Sequence, residues 1–111
     1  MGSLRRLLDS HSEEEKLAVW EKGQPVIGAD PSVFRKDSCG AWIQFSAYND
    51  TSSDTSFGWE IDHIISQDHG GQDILSNFRP LQWFNNRSKG AGRLKCPVTA
   101  EGDHNILRGD R

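Results

Sequence analysis

An acid and a histidine stand side by side in an otherwise apolar run, GWEIDHII, at residues 58–65. The acid is Asp62 and the histidine is His63. A neutral imidazole accepts a proton near neutral pH, and a carboxylate is a hard oxygen ligand for cations such as Mg²⁺. The two together suit a hydrolytic site in which a base activates water beside a bound cation. Each also has an ordinary alternative, because Asp62 could cap a strand end and His63 could be a partly buried histidine.

Two asparagines follow this pair. Asn77 lies 14 residues after His63, and Asn86 lies nine residues after Asn77. The amide oxygen of Asn86 is a hard, neutral ligand, so with Asp62 it would form a ligand pair that favours Mg²⁺ or Mn²⁺ over tetrahedral zinc. Taken singly, Asn77 could be a turn residue.

The ordered set around these positions resembles the HNH endonucleases, or ββα-metal nucleases. The pattern of the subgroup runs W-E-x-D-H-I, then G-G, then N-x-x-P-L-x-W, then N-N-R-x-K, and residues 58–90 match it closely. A D-H pair alone is a weak signal, whereas the ordered set is specific. The matching positions are Trp59, Glu60, Asp62, His63, Ile64, Gly70, Gly71, Asn77, Pro80, Leu81, Trp83, Asn85, Asn86, Arg87 and Lys89.

The resemblance implies a role for each candidate residue. His63 is the general base, Asp62 and Asn86 hold one divalent ion, and Asn77 pins the loop between two strands and so steadies His63. The resemblance also implies that the other ring nitrogen of His63 donates an orienting hydrogen bond, usually to a backbone carbonyl of the loop. Asn85 is the alternative ligand, but the spacing from Asn77 favours Asn86.

Basic residues close to the motif are the predicted phosphate contacts. Residues 78–111 carry seven basic and three acidic side chains, a net charge of +4, whereas residues 1–77 carry six and 13, a net charge of −7. The C-terminal third is therefore the candidate polyanion-facing part, and an ordinary solvated basic face is the alternative. Glu60 is expected to pair with a neighbouring cation. The candidate DNA contacts are Arg79, Arg87, Lys89 and Arg93.

Short elements must position these residues. A capping box at Ser12 predicts a helix over residues 12–22, with Leu17, Val19 and Trp20 facing the core. The segments GAWIQFSAY and FGWEIDH predict strands, NFRPLQW predicts a short extended segment, and WFNNRSK predicts a short helix. The tail from Arg93 has no firm period and is expected to be a loop with a possible short helix.

The neighbouring positions of Asp62 and His63 raise a geometric difficulty. Successive side chains of a straight strand point to opposite faces of the sheet. Both can reach one metal site only if the strand ends or bends between them, and we predict that it does.

Composition limits the classes of protein that fit. A chain of 111 residues is one domain, here divided into N-terminal support (1–57), a core (58–90) and a C-terminal tail (91–111). No apolar run is long enough to span a membrane or act as a secretory signal, which predicts a cytoplasmic protein without a membrane partner. Cys39 and Cys96 form no C-x-x-C pair, so two reduced thiols and no structural zinc are expected.

The sequence therefore predicts a small α+β protein with a ββα-metal (HNH) module in the C-terminal half, preceded by an N-terminal helix and a strand. The predicted function is metal-dependent cleavage of duplex DNA by a monomer that nicks one strand per active site. One alternative is a nucleic-acid-binding module of the same fold without catalysis. Another is an RNase or nuclease toxin, which matched DNA and RNA substrates would separate.

Overall fold

The structure is a computed structural model that describes residues 11–108. This part of the chain is a small α+β fold with two α-helices and three antiparallel two-stranded sheets, β1–β2, β3–β4 and β5–β6. In chain order the elements are α1 (Glu13–Trp20), β1 (Phe34–Lys36), β2 (Trp42–Gln44), β3 (Trp59–His63), β4 (Phe78–Gln82), α2 (Trp83–Lys89), β5 (Val98–Glu101) and β6 (His104–Leu107).

Helix α1 begins as the capping box predicts. The Ser12 hydroxyl accepts a hydrogen bond from the backbone N–H of Glu15 at 3.0 Å. Val19 and Trp20 are buried, as expected, but Leu17 is 47% exposed, so its predicted place in the core is wrong. Leu17 lies about 200° around the helix from Val19, which turns it to solvent when Val19 faces the core.

The core lies between α1 and the β3–β4 hairpin. Its central contact joins the indole rings of Trp20 and Trp59, whose centroids are 5.3 Å apart. Both indole N–H groups donate to backbone carbonyls, that of Trp20 to Pro31 and that of Trp59 to Phe45. The buried cluster consists of Val19, Trp20, Ile43, Trp59 and Phe78. These contacts anchor the base of the hairpin whose far end carries Asp62 and His63.

Strands β3 and β4 pair in one continuous antiparallel register, from Trp59 opposite Gln82 to His63 opposite Phe78. The extended segments predicted from FGWEIDH and NFRPLQW are confirmed as β3 and β4. The strand does not end between Asp62 and His63, because both residues belong to β3, so that half of the prediction is wrong, and a bend between them stays a prediction. Cross-strand hydrogen bonding to β4 continues through both of them, and the strand ends one residue later than expected.

The tail forms a hairpin, so the loop with a possible short helix predicted from Arg93 onward is wrong. Strands β5 and β6 meet at a turn whose Gly102 has a φ of 62°. A Gly-Asp pair suits a tight hairpin turn. The hairpin docks on residues 40–42, because the side chain of Asn105 accepts from the N–H of Trp42 at 2.7 Å and donates to its carbonyl at 3.0 Å.

Cys39 and Cys96 form a disulfide, which corrects the prediction of two reduced thiols. They are 57 residues apart in sequence, but their Cα atoms are 5.3 Å apart. Docking of the C-terminal hairpin brings them together, a long-range contact that spacing along the chain does not reveal. Disulfides are typical of oxidising compartments, so the cytoplasmic location gains no support from this pair and stays a prediction. Within residues 11–108, neither helix could cross a membrane, being too short or too polar.

Candidate functional site

An open cavity of about 370 Å³ lies where the end of β3 meets α2. It brings together residues that are up to 30 positions apart in sequence. The polar and charged residues of the predicted site that line it are Asp62, His63, Asn86, Arg87 and Lys89.

Asp62 is 4% exposed and has a cation beside each carboxylate oxygen. Nε of Arg79, its cross-strand partner, lies 2.8 Å from Oδ2, and Nζ of Lys89 lies 3.3 Å from Oδ1. Lys89 also donates to the carbonyl of His63 at 3.2 Å, so it joins the end of α2 to the end of β3. A buried carboxylate is stable in this position because its charge is paired and hydrogen-bonded.

His63 contacts the loop between β3 and β4 through its Nε2, which lies 2.5 Å from Oδ1 of Asp73. The edge of its ring also meets the Phe78 ring, with centroids 5.1 Å apart. The resemblance implied an orienting backbone carbonyl, and a carboxylate takes that position here. Asp73 is not among the predicted site residues, although an acid four residues before Asn77 in the glycine-containing loop was an available signal.

Asn77 pins this loop, as predicted. Its amide nitrogen donates to the carbonyls of Ile65 at 2.9 Å and Gln72 at 3.0 Å, and its oxygen accepts from the N–H of Ile65 at 2.9 Å. A Cβ added at Gly71 would lie 1.7 Å from the Ile65 carbonyl oxygen and 2.9 Å from the Asn77 amide nitrogen. Only glycine fits at position 71. Its neighbour Gly70 has a φ of 89°, a left-handed conformation that also favours glycine.

The two adjacent asparagines of α2 face different surroundings. Asn85 is fully buried, and its side chain donates to Asp37 and exchanges two hydrogen bonds with the backbone of Val98. Asn86 lines the cavity and donates to Oε1 of Glu60 at 2.8 Å, and its own oxygen has no partner among residues 11–108. The amide oxygen that is free for a ligand is therefore that of Asn86.

Glu60 also pairs with a cation, as expected. Oε2 of Glu60 lies 2.7 Å from a terminal nitrogen of Arg87, and this hydrogen bond together with the charge of Glu60 raises the pKa of Arg87. Glu60 therefore links α2 to β3 at a second point, one turn before the contact of Lys89.

A buried carboxylate, Asp37, fixes the start of α2. It accepts hydrogen bonds from the N–H groups of Cys39, Ala41 and Gln82 and from the amide of Asn85. Burial raises the pKa of Asp37, while these four hydrogen bonds act in the opposite direction. The side chain of Gln82 caps the helix by accepting from the N–H groups of Phe84 and Asn85.

The predicted metal ligands fit a hard divalent ion in their chemistry. Asp62 and Asn86 line one cavity, and each Asp62 oxygen has lone-pair capacity beyond its present partner. No group of three or more His, Cys, Asp or Glu side chains in residues 11–108 is arranged to hold a metal ion. An ion at Asp62 and Asn86 would thus take its other ligands from water and phosphate, as Mg²⁺ commonly does.

The four predicted phosphate contacts differ in accessibility. Arg87 is 59% exposed at the cavity rim, and Arg93 is exposed in the connection from α2 to β5. Arg79 is paired with Asp62 and Lys89 is 6% exposed, so a phosphate would meet Lys89 only inside the cavity.

No family model matches the chain, and no curated protein or solved structure is significantly similar to it. The resemblance to HNH endonucleases thus rests on the motif residues alone.

Proposed function

We propose that the chain is a metal-dependent endonuclease that hydrolyses phosphodiester bonds of duplex DNA. One observation carries the proposal: Asp62, His63 and Asn86 line a single cavity together with Arg87 and Lys89. In this proposal β3, β4 and α2 are the two strands and the helix of a ββα-metal module.

The proposed reaction assigns a task to each side chain. His63 takes a proton from a water molecule, whose oxygen bonds to phosphorus while the bond from phosphorus to the leaving oxygen breaks. The leaving oxygen then takes a proton from solvent. Arg87 binds the phosphate from the rim. A divalent ion at Asp62 and Asn86 would stabilise the negative charge that builds up on the phosphate oxygens. One such site cuts one strand, so a monomer nicks duplex DNA.

A second candidate is a nucleic-acid-binding module without catalysis. The observation that favours it is the pairing of Asp62 with both Arg79 and Lys89, because two cations beside one carboxylate weaken its attraction for a divalent ion. Binding would then depend on the same basic residues, and no strand would be cut.

Conversion of supercoiled plasmid to open circle separates the two candidates. The endonuclease predicts nicking in Mg²⁺ or Mn²⁺, loss of nicking on chelation, and a decrease of about 100-fold or more in His63→Ala protein while DNA binding persists. Activity that survives both chelation and the substitution would contradict the mechanism. Binding without nicking by the wild-type protein would favour the second candidate.

A matched histidine controls for general effects of the substitution. His104 is exposed on β6, away from the cavity, and His104→Ala is expected to nick at the wild-type rate. The same assay with a matched RNA tests the RNase alternative.

A further inference from the structure

The loop between β3 and β4 holds a carboxylate against the proposed base. Oδ1 of Asp73 lies 2.5 Å from Nε2 of His63 and also accepts from the side-chain amide of Gln67 at 3.3 Å. An ionised carboxylate only accepts hydrogen bonds, so Nε2 must carry the proton in this contact. Nδ1 of His63 has no hydrogen-bond partner among residues 11–108.

One ring contact and two cavities surround the ring of His63. The ring of Phe78, its cross-strand partner, meets it nearly edge to face at 86°. The ring also borders two cavities, because His63 lines both the 370 Å³ cavity with Asp62 and a second cavity of about 350 Å³ that contains Asp73. Nε2 is therefore used by Asp73, and Nδ1 is the ring nitrogen without a hydrogen-bond partner among residues 11–108.

The side chain of Asn77 is hydrogen-bonded to the chain next to Asp73 rather than to the side chain of His63. The side chain of Asn77 makes no hydrogen bond to His63, but it holds the carbonyl of Gln72, the residue just before Asp73. It also ties Ile65, two residues after His63, to the same side chain. The loop is thus closed at both ends by one amide.

We propose that Asp73 is a positioning residue that holds His63 in the tautomer with the proton on Nε2, so that Nδ1 receives the proton of the attacking water. This inference rests on the proposed function. The carboxylate also balances the positive charge that His63 gains when it takes up that proton. In this proposal Asn77 steadies His63 through Asp73.

The competing explanation is an ordinary surface pair. The Asp73 side chain is 67% exposed, and exposed ion pairs contribute little to stability. A surface pair predicts that removal of Asp73 changes neither the His63 tautomer nor the rate of the chemical step. The test must therefore include a signal from the ring itself.

The experiment compares Asp73→Ala and Asp73→Asn with wild-type protein. The ¹⁵N ring signals of His63, assigned by their loss in His63→Ala protein, report the tautomer without any metal or DNA. We expect an Nε2-protonated ring in the wild type and a mixture of both tautomers in Asp73→Ala. Asp73→Asn keeps an oxygen acceptor without the charge, so it should retain most of the wild-type tautomer.

Kinetics on a plasmid provide the second readout. We expect Asp73→Ala to lower kcat by about 10- to 100-fold with KM nearly unchanged, and Asp73→Asn to lie between it and the wild type. Asp103→Ala, which removes an exposed acid from the β5–β6 turn, is the matched control and should behave as wild type.

An unchanged ring spectrum in Asp73→Ala, or a wild-type kcat in that variant, overturns the inference. If the wild-type chain cuts no nucleic acid, the proposed function fails, while the ring spectrum still decides whether Asp73 holds the tautomer. If Asp73→Ala does not fold, the kcat of Asp73→Asn decides: a surface pair predicts the wild-type value, the inference predicts a lower one, and a wild-type kcat overturns it.

Discussion

Two neighbouring asparagines in α2 show how one residue type serves stability at one position and chemistry at the next. Asn85 is buried and satisfies groups on two separate segments, whereas Asn86 is at the cavity and its oxygen has no partner among residues 11–108. The sequence offers both as ligands, and only their surroundings separate them. Replacing Asn85 should therefore change mainly the stability of the protein, whereas replacing Asn86 should change mainly its activity.

Substitution of each asparagine by alanine should give opposite results. Asn85→Ala removes three buried hydrogen bonds, one to Asp37 and two to the backbone of Val98, and should lower the free energy of unfolding by about 3 kcal/mol or more. Asn86→Ala loses one hydrogen bond to Glu60, should cost about 1 kcal/mol or less, and should abolish metal-dependent nicking. Urea unfolding and the plasmid assay measure the two effects. A fully active Asn86→Ala protein would remove Asn86 from the proposed ligand set.

At the scale of elements, the β3–β4 hairpin and α2 are joined by polar contacts at three levels. Arg87 and Asn86 meet Glu60, Lys89 meets Asp62, and the start of the helix is fixed through Asp37. A helix of seven residues has little intrinsic stability, so these contacts and its buried neighbours determine its position. The shape of the cavity therefore depends on the segments that hold α2 in position.

The disulfide secures one of those segments. It closes a loop of 57 residues and ties residue 39, next to Asp37, to the connection between α2 and β5. Replacing Cys39 and Cys96 together by serine should lower the free energy of unfolding by about 2–4 kcal/mol, mainly because the unfolded chain regains freedom. Denaturant unfolding with and without reductant measures this loss.

Reductant should destabilise the wild-type protein and leave the double-serine protein unchanged. Equal stability of the wild-type protein under oxidising and reducing conditions would show that the pair is not joined in solution.

At the scale of the whole molecule, charge is divided unequally along the chain. The acidic first 77 residues oppose binding to a polyanion, and the basic remainder, which includes Arg87 and Arg93, favours it. Contact with DNA should therefore be confined to one part of the surface and should depend strongly on salt.

Salt dependence tests this division. The logarithm of the binding constant of His63→Ala protein for a short duplex should fall linearly with the logarithm of the salt concentration. Arg87→Gln and Arg93→Gln should each weaken binding and reduce the slope by about 1, because each removes one phosphate contact. Lys16→Gln, in the acidic part, should leave the slope unchanged. A slope insensitive to either arginine would place the contact elsewhere.

Local patterns predicted some elements of this molecule and missed others. Strands β3 and β4 and helices α1 and α2 follow from apolar alternation, a capping box and the motif, all of which are local. The docking of the β5–β6 hairpin and the disulfide depend on contacts between residues about 60 positions apart, such as Trp42 with Asn105, and no local pattern reports these.

The candidate site divides in the same way. The resemblance to the HNH motif, together with residue types and spacing, selected Asp62, His63 and Asn86, which line one cavity. They were not enough to find Asp73, because an exposed loop acid looks ordinary until the loop is folded back on His63. Nor did they show that Lys89 is buried beside Asp62.

The dependence of α2 on Val98 and of β2 on Asn105 also constrains the timing of assembly during synthesis. A ribosome releases the chain from its N-terminus, so Asp62, His63 and Asn86 all leave the exit tunnel before the residues that fix α2. The hydrogen bonds of Asn85 with Val98 form only after the C-terminal hairpin has emerged. A nascent chain would therefore carry every proposed catalytic side chain while still lacking these contacts of α2.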